Sequence, residues 1–304
     1  MKTNLIKDQE LMKILDIDLK TLNRFKQIRS ETMAEAKKLS QRKNRKLKVL
    51  GISGSARDLM DMSQEDSNSG ELLKNCLGYC EKLGAETEFI QLKKYNIKYC
   101  KACYSTVNTQ CHFYCSCYPK GTPQGDDMTN ILYDKILSAD IIIFATPVNN
   151  FKISTLLATF IDRCISLDGS LSPANPQAPK DKELNIKHMK FIELTADNNL
   201  PGSGLLRRFT GKVAGIIVTG HEAGAAMAIS SLSMILNNFG MMLPPFNSLY
   251  AMSSVCRSTY EDKPIVLSDC YDEELKALAN NLVLAAKLAK NCKITDWKND
   301  YTAN

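Results

Sequence analysis

Four short apolar runs set the terms of this fold. KLKVLGIS (46–53), ETEFIQL (86–92), ADIIIFATP (139–147) and GKVAGIIVTG (211–220) are rich in Val and Ile. Three of them lack the alternation of polar and apolar residues that marks a half-exposed strand, so they read as strands buried on both faces. Amphipathic helical segments separate them. In GELLKNCLGYCEKL (70–83), Leu72, Leu73, Cys76, Leu77 and Cys80 share one helical face, and Ser67 and Asn68 are suited to cap its start. Further helices are expected over 127–138, 153–167, 223–239 and 272–290, with an apolar segment over 241–251. Strands separated by helices pair in parallel, because the crossover needs the length of a helix. The chain therefore predicts an α/β domain over 46–292 with a doubly wound, five-stranded parallel sheet. In such sheets the loops beyond the carboxyl ends of the strands hold the ligand, here those after strands one, three and four.

Two insertions and two extensions surround this pattern. Residues 1–45 form a helical arm, with Met12, Leu15, Leu19, Leu22, Met33, Ala36 and Leu39 at three- and four-residue steps over 10–40. Its basic linker, QRKNRK (41–46), leads into the domain. Residues 1–49 carry 14 Lys and Arg against 6 Asp and Glu, so the net charge of +6 is concentrated there. That arm reads as a solvated or subunit-packing helix in preference to a nucleic-acid or membrane contact. The insertions span 96–125 and 168–210, and within the second MKFIEL (189–194) reads as an extra strand. Residues 293–304 form a tail. No stretch has the length and apolarity of a membrane span, and the start lacks the apolar block of a signal peptide, so a cytoplasmic protein is expected.

The loop after strand one carries the first chemistry. Ser53, Gly54, Ser55 and Arg57 leave the strand end, and Ser67, Asn68 and Ser69 open the next helix. Free N–H groups and the dipole at a helix start suit a phosphate, small hydroxyls add donors, and Arg57 can clamp it. Neither the P-loop pattern nor the G-x-G-x-x-G fingerprint is present. A serine-rich loop of this kind favours a mononucleotide such as FMN; the plainer alternative is an ordinary βα loop with a serine cap. Asp162 and Arg163 read as an ion pair anchoring a helix, and His221 as a hydrogen-bonding residue at a strand end.

GSAR (54–57) followed by SNS (67–69), then TPVNNFKISTLLATFIDR (146–163) and VTGHEAGAAMAISSLSMILNNFGM (218–241), resemble in order three segments of the NADPH-dependent FMN reductase family. The resemblance covers roughly residues 46–290 and implies a flavodoxin-like fold. It implies that Ser53, Ser55, Arg57, Ser67, Asn68 and Ser69 hold the FMN phosphate. Pro147, Val148, Asn149 and Asn150 would lie along the flavin ring, and Thr219, Gly220, His221 and Gly224 would approach its other edge. NAD(P)H would reduce the flavin, which would pass electrons to a quinone, a flavin, an azo or nitro compound or a metal ion. A homo-oligomer, dimer or tetramer, is implied too. The chain departs from the family at Asn149, where an aromatic residue is usual, and at Phe151, often Gly. Its acidic insert DLMDMSQED (58–66) is expected to bulge into solvent or a neighbouring subunit.

Eleven cysteines are present, and Cys100, Cys103, Cys111, Cys115 and Cys117 crowd into one stretch spaced C-x2-C-x7-C-x3-C-x-C. In a reducing compartment such crowding points to a cluster, a zinc ion or an unligated thiol-rich loop. The iron–sulfur flavoprotein branch of the family is similar at this position, which implies a [4Fe–4S] cluster close to the flavin of a partner subunit. That branch's usual third cysteine falls on Thr106, so four ligands would come from Cys100, Cys103 and two of Cys111, Cys115 and Cys117. The resemblance thus leaves open a second function, relaying electrons from a ferredoxin-like donor. A third, a colourless binding scaffold, gives the three loop motifs no reason to coexist.

Overall fold

Alternation along the strands decides which side of the sheet each residue serves. In the computed structural model, which describes residues 6–40, 45–62, 64–197, 199–253 and 269–297, β1 (Lys48–Ser53), β2 (Glu86–Gln91), β3 (Ile141–Asn149), β5 (Val213–His221) and β6 (Ser248–Ser253) form one parallel sheet. Its order is β2-β1-β3-β5-β6. Val49, Ile141, Ile143 and Ile217 face α3 (Asn68–Lys82) and α8 (Asp269–Ala289). Leu50, Ile52, Ile142, Phe144, Ile216 and Val218 face the other side. There they meet α4 (Tyr133–Ser138), α5 (Thr155–Cys164) and α7 (Glu222–Asn238). Burial on both faces is what the continuous apolar runs require. The winding reverses between β1 and β3, so the crevice of the fold opens beyond Ser53 and the end of β3.

The expected five parallel strands are all present, and one more element joins them. Val148 and Asn149 pair antiparallel with β4 (Lys152–Ile153) through a two-residue turn. The turn residues Asn150 and Phe151 both have positive φ, 48° and 64°. A turn of this hand matches the twist of the strands it joins and normally places glycine second. Phe151 occupies that strained position with 59% of its surface exposed.

The extensions differ from expectation in two ways. The arm is two helices, α1 (Asp8–Leu15) and α2 (Leu19–Ser40). Asp16 takes a left-handed conformation that ends the first, and the Asp18 carboxylate accepts the Thr21 N–H at 2.8 Å to start the second. MKFIEL is no strand: it lies in α6 (Lys182–Thr195), capped by the Asp181 side chain. Asn185, His188, Phe191 and Ile192 are buried at helical spacing, and a six-residue apolar run is too short to distinguish the two periods.

Arm and second insertion pack on one another. Leu11, Leu15, Leu22, Phe25 and Ile28 share a core with Leu171, Ala174, Phe191 and Ile192. Arg208 locks this module in place. Its guanidinium donates to both Glu35 oxygens at 2.7 and 2.8 Å and to the Ser170 hydroxyl at 2.9 Å, and lies 4.1 Å from the Phe113 ring centre. No helix among the described residues is long and apolar enough to cross a membrane.

A second buried ion pair fixes the cysteine-rich segment. Asp126 ion-pairs with the Arg163 guanidinium, both side chains essentially buried. Arg163 also donates to Lys98 O at 2.8 Å and Thr129 Oγ1 at 3.1 Å and stacks over Tyr118 at 4.4 Å. The expected Asp162–Arg163 pair is thereby corrected. Adjacent residues on a helix point in different directions, and Asp162 is exposed while Arg163 turns inward. Burial alone would raise the Asp126 carboxyl, but Arg163 and the Lys98 and Thr129 N–H groups hold it below the ordinary carboxylate range. A depressed native pKa stabilises fully above the unfolded value of about 3.9 and is lost as pH falls through the native value. Asp126→Ala, which strands a buried guanidinium, should cost about 3–5 kcal/mol in urea unfolding at pH 7. The wild-type advantage over Asp126→Ala should shrink below about pH 4; an advantage unchanged at low pH would count against the pair as its source.

Candidate functional site

The crevice beyond β1 is built by small residues that let three loops touch. Gly54 N–H donates to Ala145 O at 2.8 Å, and the Ser154 hydroxyl donates to Gly54 O at 2.6 Å. A Cβ on Gly54 would lie 2.7 Å from Leu157 Cβ, so no side chain fits. Ser154 also caps α5, accepting the Leu157 N–H at 3.2 Å, and its own N–H donates to Thr146 Oγ1 at 3.0 Å. The first loop is thus fastened to the start of α5.

The predicted phosphate residues gather at this point. Ser53, Ser55 and Ser69 are buried. Ser67 caps α3, accepting the Gly70 N–H at 3.3 Å, and its hydroxyl lies 2.8 Å from that of Ser69. Arg57 N–H donates to Ser55 Oγ at 3.2 Å, and Lys93 Nζ donates to Arg57 O. Lys93 was not anticipated; it lies beyond β2, and only the adjacency of β1 and β2 brings it here. Asn68 Oδ1 is buried with no partner. Turned over, the same amide offers its NH2 to an anion. Hydroxyls, amide donors and a helix N-terminus together suit a dianionic phosphate. Leu59, Met60 and Met62 of the acidic insert project into solvent.

The second and third loops interlock. Pro147 pairs with Thr219 in the sheet register. A Cβ on Gly224 would meet Val148 Cγ1 at 2.3 Å and Phe151 Cα at 2.9 Å, and one on Gly220 would meet Val148 Cβ at 3.0 Å. The β3–β4 hairpin therefore rests on the backbone at the start of α7. Asn149, Asn150 and Phe151 remain exposed above it. His221 ends β5; its side chain lies outside the described residues. All three expected loops converge on the crevice.

The five clustered cysteines do not behave alike. Cys111, Cys115 and Cys117 are buried, Cys100 is half-buried and Cys103 is exposed. A cavity of about 300 Å³ is lined by Cys103, Cys111, Cys115 and Cys117, with His112 and Asn185 beside them. Cys100 lines a different groove, with Tyr104, Asp162, Met234 and Phe239. Cys117 holds the Cys103 thiol below its usual range, Cys103 raises Cys117 in turn, and Cys117 and burial raise Cys115. Burial pushes the Cys111 thiol up to about 12. It also depresses His112 to about 4, so the ring is neutral at pH 7; its Nδ1 lies 2.7 Å from Ser116 Oγ. Among the described residues, no group of three or more His, Cys, Asp or Glu is gathered tightly enough to hold a single metal ion.

This is the architecture of a flavodoxin-like α/β protein with a mononucleotide crevice and a separate thiol-lined cavity. Residues 47–192 match the model of the NADPH-dependent FMN reductase family. Among curated proteins it is similar to an iron–sulfur flavoprotein of Archaeoglobus fulgidus, 31% identical over 117 residues, which are 38% of this chain and 48% of the relative. It is also similar to an iron–sulfur flavoprotein of Methanocaldococcus jannaschii, 29% identical over 118 residues, or 39% and 50% of the two chains. The chain spans about half the length of these relatives. In fold it is similar to RosB crystallised with 8-demethyl-8-formylriboflavin-5'-phosphate, with TM-score 0.56, 18% identity and 81% of each chain covered.

Two outcomes test this geometry. Gly224→Ala drives a methyl into Val148, so flavin retained per chain, read by absorbance, should fall at least about tenfold, roughly 1.4 kcal/mol. Undiminished flavin would mean that the interlock is not needed for binding. In metal-free protein at pH 8, iodoacetamide should label Cys103 well before Cys111, Cys115 or Cys117, as peptide mass spectrometry can follow, because the thiolate is the reacting form.

Proposed function

We propose that the chain is an FMN-dependent oxidoreductase that takes electrons from NAD(P)H and delivers them to a small acceptor. The observation that carries this reading is the convergence of three loops, one rich in hydroxyls, on a single crevice at the switch point of the sheet. FMN, when bound, supplies hydride acceptance and one- or two-electron donation. Ser53, Ser55, Ser67, Ser69, Asn68 and Arg57 would hold its phosphate. Pro147, Val148, Asn149 and Asn150 on one side and Thr219, Gly220, His221 and Gly224 on the other would flank its ring. The protein's own part is to orient the ring and shield it, with Phe151 standing at the open side. No side chain need act as a base, since hydride transfer moves its proton with its electrons.

A second reading is favoured by the thiol-lined cavity: an iron–sulfur flavoprotein fed by a ferredoxin-like donor. Four thiols around one space suit a [4Fe–4S] cluster. A zinc ion, with Zn–S of about 2.3 Å, would need its thiolates within about 4 Å of each other, and no such group is assembled among the described residues. In one chain the flavin loops and the cysteine segment lie at different points along α7. The flavin loops meet the start of α7 at Gly224, while the cysteine segment lies against Met234 and Asn238. Ten to fourteen helical residues span about 15–20 Å. A homo-oligomer would shorten that path. The outer face of α7 suits one, since it exposes Met227 and Met234 and carries no charge after Glu222.

Anaerobic stopped-flow mixing separates the two readings. Rapid bleaching of the flavin bands by NADH or NADPH is expected for the reductase. No bleaching with either, together with reduction by a reduced ferredoxin, would replace it with the relay.

A further inference from the structure

The β3–β4 hairpin turns on a residue that its geometry disfavours. Asn150 and Phe151 form the two-residue turn, with φ 48° and 64°. Asparagine tolerates the left-handed region, and glycine is the residue that usually follows it in such a turn. A bulky phenylalanine at that position is sterically strained. Burial does not offset the strain. The side chain is 59% exposed, and among the described residues it joins none of the three hydrophobic cores. Nor does the interlock with α7 use the ring, because Gly224 meets the Phe151 backbone, at Cα and C. A glycine at 151 would keep that contact.

The support beneath the ring is fixed. Ile153 is buried, Val148 rests on Gly220 and Gly224, and the Ser154 N–H donates to Thr146 Oγ1 at 3.0 Å. Strained residues held by rigid surroundings cluster at ligand clamps. The turn lies beyond the carboxyl end of β3, where the crevice opens. Phe246 gives the contrast. It is also exposed and has φ 53°, but it precedes β6 and so lies at the opposite edge of the sheet. Asn149, Asn150 and Lys152 are polar, so Phe151 supplies the hairpin's aromatic face.

We propose that Phe151 selects the electron acceptor, its ring stacking on a flat aromatic or quinoid molecule at the mouth of the crevice. Aromatic faces gain from offset stacking beyond the area they bury. A nicotinamide dinucleotide has phosphates and riboses by which to be held, whereas a small quinone has only its two faces and its carbonyls. Two electrons and two protons pass from the reduced flavin to the quinone, giving a hydroquinone and oxidised flavin. The role of Phe151 rests on the flavin reading of this crevice.

The test measures binding without turnover. Oxidised flavin cannot reduce a quinone, so equilibrium dialysis of menadione against the oxidised, FMN-loaded full chain gives a Kd. Phe151→Gly should raise that Kd roughly three- to tenfold, the range of a single aromatic contact. Phe151→Tyr, which keeps a ring, and Phe246→Gly, the same change at the other edge, should stay within about twofold of the wild type. All variants should keep their FMN. After reduction with dithionite, ferricyanide, a metal complex without an aromatic face, should oxidise the wild type and Phe151→Gly at equal rates. The melting temperature of Phe151→Gly should be no lower than that of the wild type, since glycine takes positive φ without strain. An unchanged menadione Kd in Phe151→Gly with FMN kept, an equal weakening in Phe246→Gly, a slowed ferricyanide reaction or a lowered melting temperature overturns the role of Phe151 and leaves the flavin reading standing. So does a wild type that holds FMN and does not bind menadione. A wild type that holds no FMN overturns the flavin reading, and the role of Phe151 with it.

Discussion

The buried contact of Arg163 with Asp126 organises more of this molecule than any strand pairing outside the sheet. Asp126 also accepts the Lys98 and Thr129 N–H groups, so one carboxylate closes both ends of the cysteine-rich segment onto the start of the helix leading to α4. Arg163 belongs to α5, whose other end is capped by Ser154, the residue that fastens the first flavin loop. A ten-residue helix thus carries the crevice at its N-terminus and the thiol-rich segment at its C-terminus. Desolvating two charges is costly, and here the cost is offset by several hydrogen bonds and a stacked tyrosine.

The crevice and the cavity obey different physics. In the crevice, glycines remove side chains so that backbones approach, and hydroxyls supply donors without bulk. In the cavity, the polarisable thiols of Cys111, Cys115 and Cys117 are buried and raised, Cys111 by desolvation, Cys115 by Cys117 and desolvation, and Cys117 by Cys103. Such thiols become good ligands only when a cation displaces their protons, which couples loading of the site to pH and to the burial around it.

The sheet and the phosphate loop were legible because their signals are local. Ile141, Ile142 and Ile143 serve opposite faces in turn, and a run of that kind has few other uses. Ser67 caps α3 through contacts three residues away. What escaped reading depends on distant residues. Asp126 and Arg163 are 37 apart, and the obvious neighbour, Asp162, was the wrong partner. Arg208 and Glu35 are 173 apart. MKFIEL had the composition of either element, and packing against Phe25 of the arm settled it as a helix. Cysteine spacing gave five candidates, but which of them line one cavity depends on the packing of Pro179, Lys180 and Asn185 far along the chain.

The arm therefore has a place in the site's construction that its charge alone concealed. Its charge suggested a solvated or subunit-packing helix, and its apolar face is spent on the second insertion and its Glu35 on Arg208. Arg208 in turn presses on Phe113, between two buried thiols. The flavin crevice is assembled from the common sheet and its loops, while the cavity needs both insertions and, through Arg208, the arm. The extensions are thus part of the scaffold around the thiol-lined cavity.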